Sequence, residues 1–101
     1  MRLIITTCPR DKAQDLMLKI LKEKIAGCVL EDKLENSLFW YEDKIDSEKE
    51  SILLFKTTDE LVLKLFRRIG QLHPYDVPFI AEIEIKKVND KYAEWLKDVT
   101  K

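Results

Sequence analysis

Glycine is almost missing from this sequence, at two of 101 residues, so no glycine-rich loop is available to cradle a phosphate group. Histidine occurs once, which leaves no multi-histidine metal centre, and no serine–histidine–acid arrangement is visible. The two cysteines, Cys8 and Cys28, show neither CxxC spacing nor the dense pattern of a disulfide scaffold, and reduced thiols are expected. No zinc-ligand motif with short fixed spacing occurs. No apolar run approaches the roughly 20 residues that span a bilayer, and Met1-Arg2-Leu3-Ile4-Ile5 enters a strand-like run without a cleavage pattern, so a cytoplasmic chain is expected. Net charge is also missing: 18 basic and 19 acidic residues leave −1, which supplies no basic funnel for nucleic acid.

What remains is a charged and apolar chain. Hydrophobic residues make up 46%, enough for a single core in one domain over residues 1–101. Charged residues make up 37%, against roughly a quarter in ordinary globular proteins. Lysine and glutamate enrichment with so little glycine is the pattern of ion-pair networks and short loops at high growth temperature, and a thermophilic source is expected.

The hydrophobic pattern sets out the elements. Leu3 to Cys8 reads as a strand closed by Pro9. From Asp11, the residues Ala13, Leu16, Met17, Ile20 and Leu21 form a helical stripe, with Gly27 as its expected stop. Cys28-Val29-Leu30 begins a second strand that resumes at Leu38-Phe39-Trp40-Tyr41, and a charged turn from Glu42 to Glu50 leads to a third strand, Ser51 to Phe55. Thr57-Thr58-Asp59-Glu60 fits a capping box that opens a helix with Val62, Leu65, Phe66 and Ile69 on one face. Phe79 to Lys86 reads as a fourth strand, and Tyr92, Trp95, Leu96 and Val99 share a face of a terminal helix.

The order β-α-β-β-α-β with an added C-terminal helix predicts an α+β, ferredoxin-like antiparallel sheet in strand order 4-1-3-2. That order puts Cys8 at the end of the sheet shared with the hairpin between the second and third strands and the start of the fourth strand, within reach of His73 and the aromatic run near Trp40. Cys28 falls at the opposite end, so a Cys8–Cys28 disulfide is not expected within one chain.

His73-Pro74-Tyr75-Asp76-Val77-Pro78 joins the single histidine to two of three prolines ahead of an apolar strand. Pro74 drives His73 out of the helical region and the two rings remove two backbone donors, which makes a stiff corner. This segment resembles the HPY-[E/D]-VP signature of the CutA, or divalent-cation tolerance, family. Ile25-Ala26-Gly27-Cys28, Ser37 through Ile45, Leu54-Phe55-Lys56-Thr57 and Tyr92-Ala93-Glu94-Trp95-Leu96 are similar to further family segments in the same order. The resemblance implies a homotrimer, similar in architecture to PII signalling proteins, with the hairpin reaching onto a neighbour. It also implies a link to copper and other divalent cations that is functional rather than catalytic. Leu30, Asp43 and Phe79 depart from the family pattern, and Asp43 suits a left-handed turn in place of glycine.

Each candidate has an ordinary structural reading beside its functional one. For a softer metal such as Cu or Zn, the candidate ligands are His73 with the Cys8 thiolate, Asp76 as an oxygen donor and Cys28 at the family position. Structurally, His73 terminates a helix, Cys8 is a small strand-end residue, and Cys28 packs beside Val29. Phe39, Trp40 and Tyr41 must divide between both faces of a strand, and an exposed aromatic strip marks an interface. With Lys56 and Tyr75 they are assigned to an intersubunit cleft. No cofactor is obligatory, and Cu(II) or another divalent cation is the implied ligand. The expected partners are two further copies of the chain, divalent metal ions and a downstream protein without identity, with neither nucleic acid nor membrane. The alternative is a PII-like sensor holding a small ligand or nucleotide in that cleft. Enzymatic activity is not expected; an acylphosphatase-like role for Arg10 lacks its asparagine partner.

Overall fold

The computed structural model describes residues 1–101. Its elements in chain order are β1 (Arg2–Pro9), α1 (Arg10–Lys22), β2 (Cys28–Lys33), β3 (Ser37–Tyr41), β4 (Lys44–Glu48), β5 (Glu50–Thr57), α2 (Val62–Leu72), β6 (Ile80–Glu84) and α3 (Asp90–Val99). A four-stranded sheet has the order β2-β5-β1-β6, with every neighbouring pair antiparallel. This is the ferredoxin-like order expected from the sequence.

Alternation along the strands decides which residues meet the helices. Ile4, Thr6 and Cys8 of β1 lie opposite Phe55, Leu53 and Ser51 of β5, and all six are fully buried. Ala13, Leu16 and Ile20 of α1 and Leu65 and Ile69 of α2 close over this face, since their helical spacing puts them on one stripe. The other face of the sheet carries the row Leu30, Leu54, Ile5, Ala81 across all four strands. Leu54, Ile5 and Ala81 are only half-buried there, and Leu30 is exposed.

Four local expectations are corrected. The region from 38 to 50 is not a resumed strand and a charged turn: β3 and β4 pair as a separate two-stranded hairpin, and Lys44–Glu48 is a strand. Its two-residue loop, Glu42 and Asp43, has φ of 50° and 63°, the left-handed pair that tightens a hairpin with the sheet's own twist. The helix α1 stops at Lys22, not Gly27; Lys24 takes the left-handed conformation with φ of 60°. Gly27 is instead needed for space, because a Cβ there would lie 2.6 Å from Leu96 and 2.9 Å from Val99 of α3. The capping box does not form: α2 begins at Val62 without a side-chain cap, and the Thr57 hydroxyl donates to the Ile25 carbonyl at 2.7 Å. A buried carbonyl outcompetes a helix end open to water as the partner of that hydroxyl. Finally, the last strand ends at Glu84, short of Lys86.

The hairpin departs from the four-stranded sheet and draws the molecule out to 46 × 24 × 20 Å. Leu38, Trp40, Tyr41 and Ile45 on it are all more than half exposed.

Candidate functional site

Pro74 cannot continue α2, and His73 leaves the helix with φ −66° and ψ 136°, the extended conformation imposed on a residue before proline. Its ring thereby turns onto β1. Nε2 lies 2.9 Å from the Thr7 carbonyl and 3.1 Å from the Thr6 hydroxyl, while the Tyr75 backbone N–H donates to Nδ1 at 3.1 Å. An acceptor at Nδ1 and a carbonyl at Nε2 require the neutral tautomer protonated at Nε2. The Thr6 hydroxyl, accepting from that N–H, donates onward to the Phe79 carbonyl at 2.7 Å. Burial holds the imidazole below its ordinary pKa, against the opposing pull of the Thr7 carbonyl and Glu50.

The corner then continues outward. The Tyr75 ring tilts over His73 with centroids 5.2 Å apart, and its hydroxyl donates to Glu50 Oε2 at 2.7 Å. Glu50, the first residue of β5, is only 6% exposed, and its Oε1 accepts from the Ser37 hydroxyl of β3. Arg10, at the start of α1, donates through its guanidinium to the carbonyls of Leu34 and Glu50. The phenol of Tyr75 is pushed well above its ordinary pKa, by burial first and by Glu50 next. Cys8 is fully buried against Ser51, and burial, with Glu31, Glu50 and Asp11 adding repulsion, raises its thiol to about 11. The Ser51 hydroxyl is itself held by Glu31 at 2.6 Å.

The two ends of the sheet divide the candidates. His73 and Cys8 share one end, as the strand order required. Asp76 is in the same corner but exposed and without a recorded partner, and Val77 beside it is 91% exposed. Cys28 lies at the other end, opposite Lys56. Lys56 donates to the Tyr92 hydroxyl at 3.0 Å, a bond that raises its pKa, and stands 4.9 Å above the Tyr92 ring. Tyr92 in turn packs against Trp95 at 5.3 Å. Both cysteines are free. Lys56 and Tyr75 therefore belong to opposite ends of one chain, and Phe39, Trp40 and Tyr41 leave on the hairpin, with Trp40 74% exposed. No three side chains among His, Cys, Asp and Glu converge in the geometry of a metal centre within the chain.

Glu50, Ser37 and Thr6 escaped the sequence reading, which took Glu50 for the end of a solvated charged turn. The available signal was its position immediately before a run of buried strand residues. Arg10 was noticed for a different role, and its guanidinium is instead spent on two carbonyls.

No helix is long and apolar enough to cross a membrane. The family model of the CutA1 divalent ion tolerance protein matches residues 2–99. The divalent-cation tolerance protein CutA of Pyrococcus horikoshii is 36% identical, over 100% of this chain and 99% of its own length. Its crystal structure superposes with a TM-score of 0.94, covering 100% of this chain and 99% of that one. The chloroplastic protein CutA 1 of rice is 35% identical over 96% of this chain, which spans only 55% of the rice protein. A solved structure from Archaeoglobus fulgidus, named a periplasmic divalent cation tolerance protein, is 27% identical with a TM-score of 0.89, over 98% of each chain.

Proposed function

This chain belongs to the CutA1 divalent ion tolerance family, and from that membership we propose that it acts as a homotrimeric, non-catalytic binding or signalling module whose cation contacts are completed between subunits. The general role, divalent-cation tolerance, is that named for its archaeal relatives. The observation that carries the trimer is the sheet face opposite the helices, where the row Leu30, Leu54, Ile5 and Ala81 has no layer of its own chain packed over it. A contiguous apolar row on an unpacked sheet face marks a surface that another apolar surface covers. The projecting hairpin, with Leu38, Trp40, Tyr41 and Ile45 exposed, supplies a second surface of the same kind.

Cation contacts follow from what one chain lacks. His73 already uses both ring nitrogens, Cys8 is buried as a thiol, and Cys28 is half-exposed at the far end. A thiol-seeking cation such as copper then needs donors from two chains, with Cys28 as the accessible sulfur ligand. Arg10, held by two carbonyls, is not poised for acyl-phosphate chemistry. The free thiols suit a reducing compartment, and we place the chain in the cytoplasm on that ground.

Sedimentation tests the assembly: about three times the 12.0 kDa chain mass is expected, and a monomer refutes it. Calorimetric titration with Cu(II) tests the cation: binding is expected to be lost in Cys28→Ser, and an unchanged isotherm removes the intersubunit site. Acyl-phosphate turnover that disappears in Arg10→Ala would overturn the non-catalytic reading.

A further inference from the structure

The hairpin is joined to the rest of the chain at a narrow neck. Residues 34–36 lead in, and Lys49 leads out. Along the whole of β3 and β4, the one side-chain hydrogen bond to another part of the chain runs from Ser37 to Glu50. At the neck the backbone adds Leu34 N–H to the Glu50 carbonyl at 2.9 Å and Arg10 N–H to the Lys49 carbonyl at 3.3 Å. Arg10 reaches across the same neck to the carbonyls of Leu34 and Glu50. Glu50 is thus the meeting point of three otherwise separate parts: the hairpin through Ser37, the proline-stiffened corner through Tyr75, and the start of α1 through Arg10.

We propose that Glu50 is a latch: its buried carboxylate, gripped by Ser37 on the hairpin and by Tyr75 on the stiff corner, sets the angle at which the hairpin leaves the core sheet.

The physical reason is one of leverage. A two-stranded ribbon is not stable alone and has no layer packed against it, so its direction depends on what holds its root. Backbone bonds at the neck fix where the hairpin starts but leave rotation about the linkers. The Glu50 side chain removes that freedom because its second oxygen is tied to Tyr75, whose backbone cannot swing: Pro74 precedes it, and its own N–H is bound to His73. The carboxylate suits the task because both partners are hydroxyl donors and each takes a different oxygen. The latch deepens the assembly reading, on which it rests for its consequence, since the hairpin's exposed aromatics meet a neighbour only if aimed correctly.

Hydrogen–deuterium exchange of the full chain tests it. In Glu50→Ala the amides of residues 37–48 are expected to exchange about tenfold faster or more, while those of β1 and β5 keep their rates. Tyr75→Phe, which removes one hydroxyl and leaves the ring on His73, is expected to give a smaller rise confined to the same residues. Glu50→Gln keeps a carbonyl acceptor for one hydroxyl and offers its amide to the other, and is expected to restore rates to within about threefold of the parent. Hairpin rates within about twofold of the parent in both Glu50→Ala and Tyr75→Phe, or a rise equal in the hairpin and the core strands, overturn the latch. If Glu50→Ala does not fold, Tyr75→Phe and Ser37→Ala decide it by the same criterion. Sedimentation of the parent is read separately: a monomer with a latched hairpin removes the trimer and keeps the latch, whereas a trimer with unchanged hairpin rates does the reverse.

Discussion

The two ends of the four-stranded sheet hold one cysteine each and treat it in opposite ways. At the Cys8 end the buried polar groups have closed on one another: His73 on Thr6 and Thr7, Tyr75 and Ser37 on Glu50, Ser51 on Glu31. At the Cys28 end the thiol is half-exposed on the open sheet face, opposite a lysine whose one hydrogen bond goes to a tyrosine hydroxyl. The difference lies in what packs over each strand end. The corner of residues 73–76 closes over the first, whereas the second is approached by α3 through Tyr92, Leu96 and Val99. Burial converts the first set of groups into structure and leaves the second available for chemistry.

Thiol reactivity is the sharpest way to break this contrast. Cys28 should react directly with a soluble disulfide reagent, and Cys8 only through opening of the fold, at least about a thousandfold slower than Cys28. Equal rates in Cys8→Ser and Cys28→Ser would erase the contrast. The raised thiol of Cys8 also has a pH consequence. The unfolded chain loses this proton near the ordinary value of 9.0 and the folded chain at about 11, so stability falls as pH rises across that window. Alkaline denaturant melts of the parent and Cys8→Ala check it, the slope being shallower in the variant.

Packing at the Cys28 end gives the next largest effect. Gly27→Ala forces a methyl group against Leu96 and Val99, and a loss of about 1–3 kcal/mol in denaturant unfolding is expected. At the Cys8 end, Thr6→Val removes the link between His73 and the Phe79 carbonyl at nearly constant volume, with an expected loss of about 1–2 kcal/mol.

The acid limb distinguishes the two ends again. His73 is held below its ordinary pKa of 6.5, so the unfolded chain takes up a proton that the folded chain resists. Stability should therefore be unaffected by this group above 6.5 and fall as pH drops below it. A His73→Gln variant whose acid limb matches the parent would contradict that. The smallest effect belongs to the Lys56–Tyr92 pair, where Tyr92→Phe removes the hydroxyl and keeps the ring under the ammonium; a thermal melt should report about 0.5 kcal/mol or less.

How far the sequence alone reached differs between these parts. The strand order was legible because hydrophobic periodicity and the β-α-β-β-α-β order leave few ways to bury two helical stripes against one sheet. The opposite placement of Cys8 and Cys28 followed from that order. The left-handed turn at Asp43 was legible as chemistry, since aspartate tolerates positive φ. Thr57 was misread because its capping pattern is local, whereas its hydroxyl is taken by Ile25, distant in sequence. Glu50 was missed for the same reason: alone, a glutamate beside lysine and another glutamate reads as solvated, and it becomes buried only when Ser37 and Tyr75 close on it from two directions.

The sequence by itself thus determined the elements, their order and the stiff corner, because apolar spacing and proline geometry act over a few residues. The tertiary structure alone decided that His73 would be a neutral, doubly bonded ring, that Cys8 would be sealed, and that Glu50 would hold the hairpin. Apart from the Tyr75 N–H on His73, those outcomes depend on partners 13 to 67 residues away, whose approach sets burial and hydrogen bonding together.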